Sequence, residues 1–175
     1  KTFNWHGQFE DVLPMPPYED MTMVVASRYA VYLLQNVADH PENIEKAKEL
    51  ARYVEDQFVF WEMPQWAPQH WFTPGVGEQY LCYTPINAVS ALMINLLCEL
   101  WEATGDPIYL SKARELANTN LFAQAWFSNG DYPTWVNLKG DPDWINCTVH
   151  TAQTILNRAD EFRLMEHPDQ LMNKK

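Results

Sequence analysis

The chain has 175 residues, with 12 Lys and Arg against 23 Asp and Glu and a net charge of −11. Hydrophobic residues at 47% and charged residues at 20% make an ordinary globular mix, which excludes a disordered or collagen-like chain. The acidic balance argues against nucleic-acid binding and against an anionic membrane surface, both of which need a basic footprint.

Local signals predict five helices. The first runs roughly from Tyr18 to Asp39, behind Pro16 and Pro17, and the second from Glu42 to Phe60. The third starts at Thr84-Pro85, an N-cap followed by Pro at the first helical position, and stops near Thr104-Gly105, where Gly supplies a left-handed C-cap. The fourth starts with the same signal at Asp106-Pro107 and runs to about Gln124. The fifth runs from about Thr148 to Met165. The first, third and fifth are apolar with small residues. The second and fourth carry charged stripes, such as Glu42, Glu45, Lys46, Lys48, Glu49 and Arg52. Apolar helices alternating with half-charged ones predict an inner and an outer layer.

Lys46-Ala47-Lys48-Glu49-Leu50-Ala51 returns 66 residues later as Lys112-Ala113-Arg114-Glu115-Leu116-Ala117. His40-Pro41 and Asp106-Pro107 keep the same offset, and His167-Pro168 follows the fifth helix. The unit is therefore a helical hairpin with a short inner-to-outer turn. The return connections are long, roughly Trp61 to Tyr83 and Trp126 to Asn146, and hold six of the eight tryptophans. Long connections in a compact domain usually carry function. Each leads from an outer helix to the next inner one, so all should gather at one end of the layers.

Three cysteines, Cys82, Cys98 and Cys147, cannot all pair and lack zinc-site spacing, so they read as buried thiols, with no metal or cofactor expected. No apolar run is long enough to cross a membrane. The best, Ile86 to Trp101, is broken by Asn87, Ser90, Asn95 and Glu99.

The phrase Ala103 to Ala117 (ATGDPIYLSKARELA), with Val54-Glu55-Asp56-Gln57-Phe58, Gly77-Glu78-Gln79-Tyr80, Pro133-Thr134-Trp135 and Asp143-Trp144-Ile145-Asn146, resembles the six-hairpin, (α/α)6-toroid glycosidase-like superfamily. The resemblance covers most of the chain. It implies an all-α fold of alternating inner and outer helices and a carbohydrate site at the toroid mouth. Glycoside hydrolases, unsaturated-glucuronyl hydrolases, polysaccharide lyases and sugar epimerases all share that scaffold. Five helices make about half of a closed ring. Residues 1–175 therefore read as one segment of a larger domain. Its open apolar sides are expected to be covered by a missing N-terminal half or by a second copy. Lys1 to Trp5 reads as the tail of a further aromatic loop. A bacterial, extracytoplasmic setting goes with this reading.

Three loops share Gly, two residues, then an acid: Gly7 to Glu10, Gly75 to Glu78 and Gly140 to Asp143. Glycoside hydrolysis needs a proton donor and a second carboxylate as base or nucleophile. Glu78 is the first candidate, because its loop is poor in charge and rich in rings, and desolvation there raises a carboxyl pKa. Asp143, Asp131 and Glu10 are candidate partners. The same positions also suit caps and turns. Trp61, Trp66, Trp71, Trp126, Trp135, Trp144, Tyr80 and Tyr83 are candidates for stacking on sugar rings, about half of them expected to pin loops to the core instead. His70 and His150 are also candidate substrate-binding residues, and epimerases of similar fold make them a rival acid/base pair. No Lys or Arg lies between 61 and 84, and only Lys139 between 125 and 147, which favours a neutral sugar over a uronate. A non-catalytic glycan-binding module and a scaffold for a protein partner are the other classes open at this point.

Overall fold

A computed structural model describes residues 22–63, 65, 71–78, 85–127, 132–136 and 145–164. The chain is all-α, with six helices and one two-stranded ribbon among the described residues. The order is α1 (Met23–Gln35), α2 (Asn43–Phe58), β1 (Val59–Phe60), β2 (Gly75–Val76), α3 (Asn87–Thr104), α4 (Pro107–Phe127), α5 (Ile145–Asn157) and α6 (Ala159–Leu164).

Helical hairpins organise the packing. α1 pairs with α2 and α3 with α4, while α3 lies between α1 and α5. The repeated phrase explains how the hairpins close. Ala47 and Ala51 of α2 are buried, and so are their counterparts Ala113 and Ala117 of α4. Two alanines one turn apart give a smooth face that lets neighbouring helices approach closely. In α2 the buried residues Asn43, Ala47, Ala51, Val54 and Phe58 trace one helical stripe. On α3 burial reaches most sides, with Met93, Ile94, Leu96, Leu97 and Leu100 fully buried. Cys98 is buried there as a free thiol, as expected.

Two cap signals act as read. Gly105 ends α3 with φ 70°, a left-handed conformation that spares glycine the Cβ clash. The Asp106 carboxylate accepts the Ile108 amide at 3.0 Å, one residue past Pro107.

Several boundaries differ from expectation: α4 runs on to Phe127 and so takes in Trp126, α5 starts already at Ile145, and others shift beside long-range contacts. α2 stops at Phe58 rather than Phe60, because Val59 and Phe60 pair antiparallel with Val76 and Gly75. α3 starts at Asn87, two residues after Pro85, with Ile86 still extended. The Ile86 amide donates to the Val76 carbonyl at 2.9 Å, and Pro85 accepts from the Val136 amide at 2.8 Å. These bonds hold 85–86 as a strand-like bridge instead of a first turn. The fifth predicted helix is broken at Arg158 into α5 and α6. α1 is shorter than expected at its C-terminal end, where Thr22 caps its start and Asn36 its finish. Residues 18–21 lie outside the described set.

Gly75 is required where the two connections interlock. A Cβ there would stand 2.7 Å and 2.8 Å from Cβ and Cγ of Pro85, a rigid ring. Gly75→Ala is expected to cost about 1–3 kcal/mol as overpacking. Urea unfolding checks this, and an unchanged midpoint would refute it.

Candidate functional site

The long connections meet where the inner helices begin. Thr22 Oγ1 and the Met23 amide, at the start of α1, donate to the Glu78 carbonyl at 2.9 Å and 3.1 Å. The Asn87 amide, at the start of α3, donates to the Thr134 carbonyl at 3.1 Å, and its side-chain amide donates to Pro133. Near the start of α5, Thr148 Oγ1 donates to the Tyr132 carbonyl at 3.3 Å. The two connections also bind each other, the Phe72 amide donating to Val136 at 3.1 Å, and Gly77 returns to the end of α2 through Phe58 at 2.8 Å. The N-termini of α1, α3 and α5 and the C-terminus of α2 therefore share one rim, as the chain order requires.

Glu78 sits on this rim, half-buried, with its backbone carbonyl capping α1. Burial pushes its carboxyl up from 4.5 to about 7. The carboxyl loses hydration on folding, so its neutral form is favoured. A carboxyl poised near neutrality can hold a proton and deliver it. The expectation that ring-rich, charge-poor surroundings would raise this group thus agrees with its burial.

The four candidate aromatics among the described residues are held differently. Trp71 is 5% exposed and meets Phe60 edge to face, with centroids 5.5 Å apart, so it packs the loop inward. Trp61 is tied down between the outer helices: its Nε1 donates to the Glu55 carboxylate at 3.1 Å, Lys112 pairs with the same carboxylate, and the Lys112 ammonium lies 5.6 Å from the Trp61 ring centre. Trp135 is partly buried against the core and bridges Ile86. Trp126, by contrast, is 54% exposed near the end of α4. It contacts Phe72 at 5.7 Å and Phe122 at 6.0 Å between centroids, and Phe72 meets Phe122 at 5.0 Å. This packing brings the C-terminal end of α4 to the same rim.

The sequence reading missed Phe72 and Phe122. The signal was present for Phe122, which stands four residues before Trp126 on one helix face. His150 is exposed on α5. Glu10, Trp66, His70, Tyr80, Tyr83, Asp131, Asp143 and Trp144 lie outside the described residues, so the second carboxylate and the His70–His150 pair are not placed.

Below the rim, Asn87 and Ser90 of α3 and Thr151 of α5 are fully buried. Asn87 Oδ1, Ser90 Oγ and Thr151 Oγ1 have no hydrogen-bond partner among the described residues. Buried groups of this kind are ordinarily met by water. No cluster of three or more His, Cys, Asp and Glu suited to a metal occurs among the described residues. No described helix is long and apolar enough to cross a membrane. Compared with known proteins, the chain matches no family model, no curated protein and no solved structure.

Proposed function

We propose that the chain is a segment of an α/α toroid of the six-hairpin glycosidase-like kind and hydrolyses a neutral glycan, with Glu78 as the general acid. The observation that carries this reading is Glu78 itself: a half-buried carboxyl, raised to about 7 by burial, on the rim where the inner helices begin. It is the sole formally charged side chain in the described rim segments 71–78 and 132–136, which supports a neutral substrate. The second carboxylate is assigned to Asp143, Asp131 or Glu10. The extracytoplasmic setting belongs to this same reading.

The exposed apolar residues support a partial ring. Tyr29 and Tyr32 stack on each other on α1, 45% and 59% exposed, and Val149 and Leu156 of α5 are 52% and 74% exposed. These helices flank α3, which is buried on most sides. A second copy or an N-terminal half would cover both flanks.

Glu78→Gln is expected to lower kcat on a cleaved neutral glycan by about 10²–10⁴-fold while leaving binding in place. The pH profile of kcat/KM should lose its limb near 7. Full turnover by Glu78→Gln would sink the assignment. Binding without turnover by the parent chain would leave a glycan-binding module.

A further inference from the structure

Glu78 is fixed at its backbone, and the fixing comes from two helices at once. The Glu78 carbonyl accepts from the Thr22 hydroxyl at 2.9 Å and from the Met23 amide at 3.1 Å. One residue earlier, the Gly77 amide donates to the Phe58 carbonyl, at the end of α2, at 2.8 Å. Thr22 is 1% exposed, and its side-chain oxygen also accepts the Val24 amide at 3.3 Å as the N-cap of α1. One buried hydroxyl thus accepts from the helix it starts and donates to the connection that carries Glu78. A cap needs only an acceptor, which Asp would supply equally well. The bond to Glu78 needs a donor as well, and a hydroxyl has both. The Met23 amide is backbone and is there whatever side chain stands at 22, so the hydroxyl is the part of this anchor that the sequence chooses.

We infer that Thr22 is the positioning residue for Glu78: its buried hydroxyl holds residue 78 against the start of α1 and so keeps water away from the Glu78 side chain. The inference rests on the proposed function and adds to it the residue that keeps the general acid in place. Without the hydroxyl, the Val24 amide and part of the accepting capacity of the Glu78 carbonyl would stand unmet in a buried place. Buried polar groups without partners draw water in or move out to it. Either response hydrates the carboxyl of the same residue. Burial is what raises that carboxyl to about 7, so hydration should lower it towards 4.5. The residues that meet 77 and 78 from α1 and α2, namely Thr22, Met23 and Phe58, are uncharged. Of the charged residues nearest to them on those helices, Arg28 and Asp56 are exposed, and Glu55 is held by Lys112 and Trp61. The effect of Thr22 on Glu78 therefore runs through hydration and not through charge. A general acid that has lost its raised pKa is ionised at neutral pH and has no proton to give, so turnover near pH 7 depends on this tether.

The test reads Glu78 directly. Chain labelled with 13C at the glutamate side-chain carboxyls is titrated by NMR from pH 4 to pH 9, and the Glu78 signal is assigned by its absence from Glu78→Gln. The wild-type signal is expected to move with a midpoint near 7. Thr22→Ser keeps the hydroxyl and should titrate as wild type does. Thr22→Gly leaves α1 with an acceptable N-cap residue and Thr22→Val keeps the volume, but both lack the hydroxyl. Each should bring the midpoint down by about one pH unit or more. A residue that only capped α1 would leave the midpoint near 7 in Thr22→Gly, and one that only filled space would leave it there in Thr22→Val. The inference is overturned if Thr22→Gly or Thr22→Val titrates with wild type, if Thr22→Ser falls as they do, or if wild-type Glu78 titrates near 4.5. Should Thr22→Val not fold, Thr22→Gly and Thr22→Ser decide. Turnover by Glu78→Gln tests the reaction separately. Full turnover with the tether effect intact removes the catalytic role and leaves Thr22 its hold on Glu78, whereas an inactive Glu78→Gln with no tether effect does the reverse.

Discussion

Glu78→Gln is expected to stabilise the protein at pH 8 and to leave it unchanged at pH 4. The folded-state pKa of Glu78 is about 7 against an ordinary 4.5. Below 4.5 the carboxyl is protonated in both states, and burial imposes no charge cost. As pH rises from 4.5 towards 7, the unfolded chain releases its proton while the folded chain keeps it. The folded state then binds more protons, so stability falls with rising pH. Above 7 the loss levels off at about 3 kcal/mol, from about 1.4 kcal/mol per pKa unit. Glutamine keeps the shape without the charge and removes that loss. For a chain of this size the gain at pH 8 corresponds to a rise in Tm of roughly 10 °C. Urea unfolding of both proteins from pH 4 to pH 8 decides it. Parallel pH dependences would show that Glu78 is hydrated like a surface carboxylate and would also remove the basis of its catalytic assignment. The expected opposition between stability and activity at one residue is common in sites that hold a group against its solvation preference.

Arg158→Met should be among the most destabilising single changes at the other end of the fold, at about 3–5 kcal/mol at pH 7. Arg158 stands at the break between α5 and α6 and is 12% exposed in its side chain. Its guanidinium donates to Asn95 at 2.9 Å, to Glu102 at 2.6 Å, to Glu161 at 3.4 Å and to Glu99. One cation thus joins α3 to α6 and faces three carboxylates. Burial opposes its charge, but Glu102 and Glu99 outweigh burial and raise its pKa further. Without Arg158, the half-buried carboxylates of Glu99 and Glu161, 19% and 18% exposed, would lose the guanidinium that pairs with them. Glu102 is 45% exposed and contributes less, since water screens it. Denaturant unfolding of wild type and variant at pH 7 tests this. A difference below about 0.5 kcal/mol at pH 7 would mean that the cluster is effectively solvated.

Much of the scaffold was legible in the residues because its determinants are local. A Gly at 105 and an Asp-Pro at 106–107 act through the backbone within a turn, so the α3–α4 junction falls where the sequence places it. The repeated phrase encodes a hairpin because its alanines recur on the buried stripe of both α2 and α4. Topology then follows: short turns at one end put every long connection at the other.

The remainder depended on partners distant in sequence. Thr84-Pro85 has a good local start signal, yet Val76 and Val136 claim the backbone of 85–86 and delay α3. The apolar pattern of the fifth helix runs on through Arg158, but three carboxylates and Asn95 seat that arginine where the helix breaks. Composition makes every tryptophan in or beside the long connections an equal candidate for a sugar. Tertiary packing separates Trp71, turned inward on Phe60, from Trp126, left exposed on a brace of Phe72 and Phe122. By itself, then, the sequence determined an acidic, all-α chain of helical hairpins with its long connections gathered at one rim, because caps, periodicity and chain order act over a few residues. Only the tertiary structure decided which aromatics face solvent and how deeply Glu78 is buried, because exposure and desolvation are set by segments that meet only after folding.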